Sequence, residues 1–231
     1  MPTTLIQERV AEVKETIRHL APDRTVSLMA VTKYRTCDEV LQAVDAGVDL
    51  VGENRMQEAV QKWGSNRPPV PLHMVGHLQT NKVKYGIDLF DSFDSIDSDR
   101  LARAIHQRAS GVMPVMVEVN VGHEATKTGL APEDTVPFIA SMERYPNLRV
   151  TGLMTVLPAR RENSVEESRR IRHHMQEMVD LWRMCRSEGF PWAPTTELSM
   201  GMTGDWQWAI EAGSTMIRLG TFLFGPRPTM N

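Results

Sequence analysis

The chain predicts an α/β fold in which about eight short parallel strands, nearly all followed by a helix, close into a (β/α)8 barrel, with one extra helix before the first strand. Three observations carry this expectation. Short apolar runs and stretches of helical period alternate along the whole chain, which implies parallel strands joined by right-handed crossovers. The length of 231 residues suits a barrel of this kind as a single domain over 1–231. The first apolar run is followed by TKYRTC, without the Gly-rich turn that an open doubly wound sheet would carry there.

The elements follow in order. LIQERVAEVKETIRHL puts Leu5, Val10, Val13, Ile17 and Leu20 at helical spacing. The run at 27–31 is too short for a core helix and suits a strand buried on both faces. TCDEVLQAVDAG is a helix, with Thr36 as its cap, Glu39 at the capping-box position and Gly47 at its end. VDLVGE and NRMQEAVQKW are the next strand and helix. PLHMVG precedes a helical stretch at 79–85, and LFDSFDSI precedes DSDRLARAIHQRA. PVMVEVNV leads through a loop to APEDTVPFIASMERY, and LRVTGLMTV leads to a long helix over about 164–187. TELSM with GDWQWAIEAG, then TMIRLG with TFLFGPR, complete the series.

Composition narrows the function. A formal net charge of −3 argues against a nucleic-acid footprint. Arginines at 160–161 and 169–172 sit among Glu162, Glu166 and Glu167, which reads as a solvated helix face with ion pairs. The two cysteines, Cys37 and Cys185, are far apart and in no metal spacing, so a reducing compartment is expected. The N-terminus lacks the apolar core of a signal peptide, and no window approaches the ~18 apolar residues that span a bilayer. A cytoplasmic protein is expected, and no exposed apolar repeat demands a dimer, so a monomer is too. His73 and His77 are four apart but lie in and beyond a strand, with no third ligand nearby. His173 and His174 fall on the arginine-rich helix and read as surface.

In such barrels the chemistry sits at the C-terminal strand ends. Lys33 follows the first strand. It reads either as a rim lysine covering apolar surface with its stem, or as a Schiff-base lysine kept partly neutral by burial. Tyr34 and Arg35 would help tune its amine if they share its pocket. SMGMTGD at 199–205 opens a helix, and Arg218, Gly220 and Thr221 end the last strand. A phosphate commonly sits at the loops after strands seven and eight, held by backbone N–H and hydroxyl groups. Strand one lies beside strand eight in a closed barrel, so a ligand with a carbonyl at one end and a phosphate at the other could bridge the two. Pyridoxal phosphate and several sugar phosphates have both groups. Arg218, on an apolar strand, needs a partner: either a carboxylate such as Glu53 or a ring nitrogen to which it donates.

The motifs AVTK at Lys33, GENRMQEA at 52–59, HMVGHLQTNK at 73–82, VEVNVGHEATKTG at 117–129, GLMTV at 152–156, LSMGMTGDWQWAI at 198–210 and EAGSTMIRLGTFLFGPR at 211–227 occur together in this order. With them the sequence resembles the pyridoxal phosphate homeostasis proteins, relatives of the N-terminal TIM barrel of alanine racemase. The resemblance implies that Lys33 holds pyridoxal 5'-phosphate (PLP) as a Schiff base and that Arg218 faces the pyridine nitrogen. It implies that Ser199, Gly220 and Thr221 hold the phosphate, and that Asn54, Met154 and Met200 line the site. Two positions depart from the pattern: Thr203-Gly204-Asp205 stands where Ser-Asp-Asp or Ser-x-Asp is usual, and His77 where proline is common. The segment 206–208 is also more aromatic than expected.

The resemblance implies a protein that stores or delivers PLP, with apo-enzymes as recipients, without robust catalysis. The alternative is a PLP-dependent amino-acid racemase-like enzyme. Two-base racemisation needs a second acid/base on the opposite face of the cofactor. In alanine racemases a tyrosine from an additional domain supplies it, and here only Tyr34, among Tyr34, Tyr85 and Tyr145, falls near the expected site. A class I aldolase acting on a sugar phosphate is a weaker third reading.

Overall fold

The computed structural model of the chain describes residues 4–158 and 164–226. Eight parallel strands form a closed barrel in chain order. They are β1 (Ser27–Val31), β2 (Leu50–Glu53), β3 (Leu72–Met74), β4 (Ser92–Ile96), β5 (Met113–Glu118), β6 (Leu148–Met154), β7 (Glu197–Ser199) and β8 (Met216–Leu219). Closure is made by β1 and β8, with Met29 opposite Arg218 and Ala30 opposite Leu219. That pairing brings residues from the two ends of the chain to one part of the rim.

The outer layer holds α1 (Leu5–Leu20), α2 (Cys37–Asp45), α3 (Met56–Trp63), α4 (Asp99–His106), α5 (Pro132–Ser141), α6 (Val165–Ser187), α7 (Trp206–Ala212) and the single turn α8 (Thr221–Phe224). Between β3 and β4 the helical stretch is a 3-10 helix, Thr80–Tyr85, which buries Val83 and is closed by the Gly86 N–H donating to the Val83 carbonyl. The expected capping box of α2 is present: Glu39 N–H donates to Thr36 Oγ1, and the Glu39 carboxylate accepts from the Thr36 N–H at 2.8 Å. Helix α1 buries Val10, Val13 and Ile17 in a cluster with Trp206, Ile210, Leu223 and Phe224, covering the seam where the barrel closes.

Inside the barrel, Met29, Leu50, Val75, Met116, Met154 and Met216 pack together. Unbranched methionine fills such an irregular interior well. A polar layer shares that interior: His73 Nδ1 lies 2.9 Å from Asp94 Oδ2, and Ser92 donates to Asp94 Oδ1 at 2.5 Å. A larger apolar shell between strands and helices includes Trp63, Phe93, Ile105, Met175 and Met200.

On α6, Arg170 pairs with Glu167 at 3.3 Å and Arg172 with Glu211 at 3.2 Å, as the reading of an ion-paired face requires. Residues 160–162 of that charge cluster lie outside the described residues. His173 is exposed, whereas His174 is half-buried beside Glu177. Among the described residues no helix is long and apolar enough to cross a membrane.

Candidate active site

At the C-terminal ends of the strands lies a cavity of about 480 Å³. The end of β1 contributes Val31, Lys33 and Arg35, and the residue after β2 is Asn54. The loop after β7 adds Met202, Thr203 and Gly204, and Val156 follows β6. Arg218, Gly220 and Thr221 come from β8 and the turn beyond it. Lys33, Asn54, Arg218, Gly220 and Thr221 are therefore brought together, although the first and last of them are 188 positions apart in the chain.

Each of these side chains is held by its element. Residue Arg218 sits in β8, with its N–H on the Gly201 carbonyl at 2.9 Å. Its guanidinium donates to the Ser199 carbonyl at 2.8 Å, to Ser199 Oγ at 2.7 Å and to the Thr155 carbonyl at 2.7 Å. Burial pulls its pKa down, against the opposing charges of Asp94, Asp205 and Glu118. Arg35 donates to the carbonyls of Gly225 and Pro226 at 2.6 and 2.7 Å, so it ties the chain after α8 to the site. The loop after β7 is pinned by Asp205, which accepts the Met202 N–H at 2.6 Å, and by Thr203 Oγ1, which accepts the Phe222 N–H at 3.3 Å. Burial raises the Asp205 carboxyl, against the Met202 bond and the Arg218 charge.

Electrostatically the wall is one-sided. Lys33, Arg35 and Arg218 all line it, and its lining contains no carboxylate among the described residues. Such a wall favours an anion. Two further features show space and unmet polarity. The Asn54 Oδ1 atom is buried and has no protein partner. A methyl group built on Gly204 would meet nothing within 4 Å.

Three expected residues lie elsewhere. Ser199 is fully buried and its hydroxyl is taken by Arg218. Met154 belongs to the barrel interior, and Met200 points the other way, into the shell under the helices. Because Ser199 and Met200 are adjacent, a strand end cannot aim both inward. Glu53, the carboxylate considered for Arg218, instead accepts from Thr32, Lys62 and Trp63. Tyr34 is not part of the lining: its ring lies 4.9 Å under the Arg55 guanidinium. Sequence reading missed Val31, Val156 and Met202. Val156 and Met202 stand in motifs quoted above, and their position two and three residues past a strand was the available signal.

The chain matches the family "alanine racemase, N-terminal domain" over residues 6–228. It is 31% identical to the pyridoxal phosphate homeostasis protein of Pasteurella multocida, covering 96% of this chain and 97% of that one. It is 35% identical to that of Vibrio cholerae, covering 88% and 86%. Among solved structures, PipY of Synechococcus elongatus with PLP bound superposes with a TM-score of 0.77 at 28% identity, covering 95% of this chain and all of that one. Alanine racemase from Corynebacterium glutamicum gives a TM-score of 0.67 at 16% identity, with 97% of this chain covering 62% of that one, a likeness of fold alone. The expected (β/α)8 barrel and the resemblance read from the motifs thus agree with the fold and with these relatives, and the chain belongs to the alanine racemase N-terminal domain family, among the pyridoxal phosphate homeostasis proteins.

Proposed function

We propose that this protein binds PLP in the strand-end cavity, holds it covalently on Lys33, and stores it or hands it to apo-enzymes. The observation that carries this reading is the shared cavity: Lys33 lines it together with Arg218 and the Thr203–Gly204 and Gly220–Thr221 turns. The volume falls in the range of small-molecule sites, roughly 300–1,000 Å³. The cationic wall, the buried Asn54 Oδ1 and the bare Gly204 fit a polar, anionic ligand. Relatives are named for PLP homeostasis, and one structural relative holds PLP.

Bound there, PLP supplies an aldehyde carbon that a primary amine takes up reversibly. Lys33 provides that amine. Thr203 and Thr221 offer hydroxyls and Gly204 and Gly220 allow close backbone approach, which suits the phosphate. Arg218 is the group for the ring nitrogen: it donates and cannot accept, so it leaves that nitrogen unprotonated and the ring a weak electron sink. Ser199 acts through Arg218, by accepting its Nη1 hydrogen. Met154 packs in the barrel interior, and Met200 packs in the shell outside it.

Storage is favoured over racemisation by the inventory of proton carriers. Lys33, Arg35 and Arg218 are the titratable groups in the lining, and an arginine does not act as a base. Two-base racemisation needs a second group able to accept and return a proton. No tyrosine, histidine or carboxylate lines the cavity among the described residues. We take the protein to work as a monomer in the cytoplasm.

Purified protein should be yellow or become so with added PLP, and borohydride should fix a pyridoxyl group on the peptide carrying Lys33. Lys33→Ala should abolish that fixation. A colourless protein that gains no absorbance with PLP would sink the proposal. Steady racemase or transaminase turnover, lost in Lys33→Ala, would replace storage with catalysis.

A further inference from the structure

The main chain on both sides of Lys33 is gripped by side chains that never enter the cavity. On one side the Thr32 carbonyl accepts from Lys62 Nζ at 2.7 Å, and the Thr32 hydroxyl donates to Glu53 Oε1 at 2.7 Å. On the other, the Tyr34 N–H donates to Glu58 Oε1 at 2.5 Å. Lys62 links the two halves, 2.9 Å from Glu53 and 3.6 Å from Glu58. Glu53 is fully buried, and the Lys62 side chain is 9% exposed, so these charges act where water screens them little.

The grip has something to hold. Tyr34 has φ +64°, a left-handed conformation that a Cβ disfavours and that persists only when its surroundings over-determine it. Glu58 satisfies the Tyr34 N–H in that conformation, and Arg55 covers the Tyr34 ring. This kink immediately follows Lys33, and the bond from the Tyr34 N–H to Glu58 fixes the peptide group on the lysine's C-terminal side. A purely structural role, tying α3 to the barrel, would be met by contacts anywhere along β1 and β2. These contacts fall on the two residues flanking Lys33.

We infer that Glu58 and Lys62 are positioning residues that hold the Lys33 amine in the cavity by fixing the peptide groups around it. The inference rests on the proposal that Lys33 carries PLP. The variants to compare are Glu58→Ala, Glu58→Gln, which keeps an acceptor for the Tyr34 N–H, and Lys62→Met. The measurements are hydrogen exchange of the Tyr34 amide, the acetylation rate of Lys33 read by peptide mass spectrometry without cofactor, and the PLP dissociation constant. Glu58→Ala should speed Tyr34 exchange and weaken PLP binding by about tenfold each, and change the Lys33 acetylation rate. Glu58→Gln should recover most of these, while Lys62→Met should weaken PLP binding to a similar degree. Exchange, acetylation and affinity all within twofold of wild type in Glu58→Ala and Lys62→Met would overturn the inference, as would lost affinity with unchanged Tyr34 exchange. If Glu58→Ala does not fold, Lys62→Met and Glu58→Gln decide. A wild-type protein that takes no PLP would remove the storage proposal alone, because exchange and acetylation still report on the grip.

Discussion

Gly76 offers a sharp test of how the cavity wall is built. A Cβ at this position would lie 2.1 Å from the Asn54 carbonyl oxygen and 2.7 Å from its C and Cα, where real contacts are at least 3.0 Å. The obstacle is backbone, so no rotamer change relieves it. The chain on either side is tied down: Val75 N–H donates to the Glu53 carbonyl at 2.9 Å, and the Gly76 carbonyl accepts from Ser95 at 2.7 Å. Gly76→Ala must therefore push residue 54 outward by most of an ångström or break one of these bonds. Overpacking combined with a lost hydrogen bond costs about 3 kcal/mol, or roughly 6–12 °C in a chain of this size. Asn54 lines the cavity, so PLP affinity should fall with it, by about tenfold. Gly204→Ala is the complementary change. Its methyl enters open space, so stability should stay within about 0.5 kcal/mol while PLP binding weakens through lost room for the phosphate. Urea unfolding followed by tryptophan fluorescence gives the stability, and an absorbance titration with PLP gives the affinity. A Gly76→Ala protein that unfolds and binds like wild type would refute the claim that a bare backbone here sets the position of Asn54.

Three further outcomes are expected. Arg218→Lys keeps a charge but cannot span Ser199 and Thr155 together; it should cost about 2–3 kcal/mol, or roughly 4–12 °C in a thermal melt, and an unchanged melt would show that the forked contacts do not hold the fold. Burial pulls His73 down, but the Asp94 carboxylate at 2.9 Å, with Glu197 and Asp91 farther off, outweighs it and raises the pKa. The stability contributed by a raised histidine is complete below its unfolded pKa of about 6.5 and is lost as pH rises through the folded value, so melting should rise from about pH 8 to about pH 6. Glu118, Glu197 and Asp205, raised by burial, slope the same way from their unfolded values of about 4 upward, and a His73→Gln protein with the wild-type pH profile would refute the assignment of the effect to His73. Burial pushes the Cys185 thiol up to about 11, so iodoacetamide near neutral pH should modify the half-buried Cys37 and spare Cys185 until the protein unfolds; equal labelling of the native protein would contradict this.

The alternation that defines the barrel was legible because it is local. A strand buried on both faces is an unbroken apolar run, and β1 occupies the run at 27–31 that sequence alone picks out. The caps of α1, α2 and α6 are equally local: Thr4, Thr36 and Ser164 each accept an N–H three residues on. Chain order also indicated the neighbourhood of Lys33 and Arg218, since the first and last strands of a closed barrel must meet. The sequence by itself thus determined the architecture, the family, and the five strand-end residues Lys33, Asn54, Arg218, Gly220 and Thr221 that the cavity unites. The tertiary structure decided which faces those strand ends present. Ser199 supports Arg218, Met200 turns outward, Val156 and Met202 stand at the rim, and Glu53 faces α3 with Lys62 and Trp63. The physical reason is that side-chain direction reverses with every residue along a strand, so a one-residue difference in where a strand stops exchanges wall for core, and the exchange is settled by barrel register and by packing between residues distant in sequence.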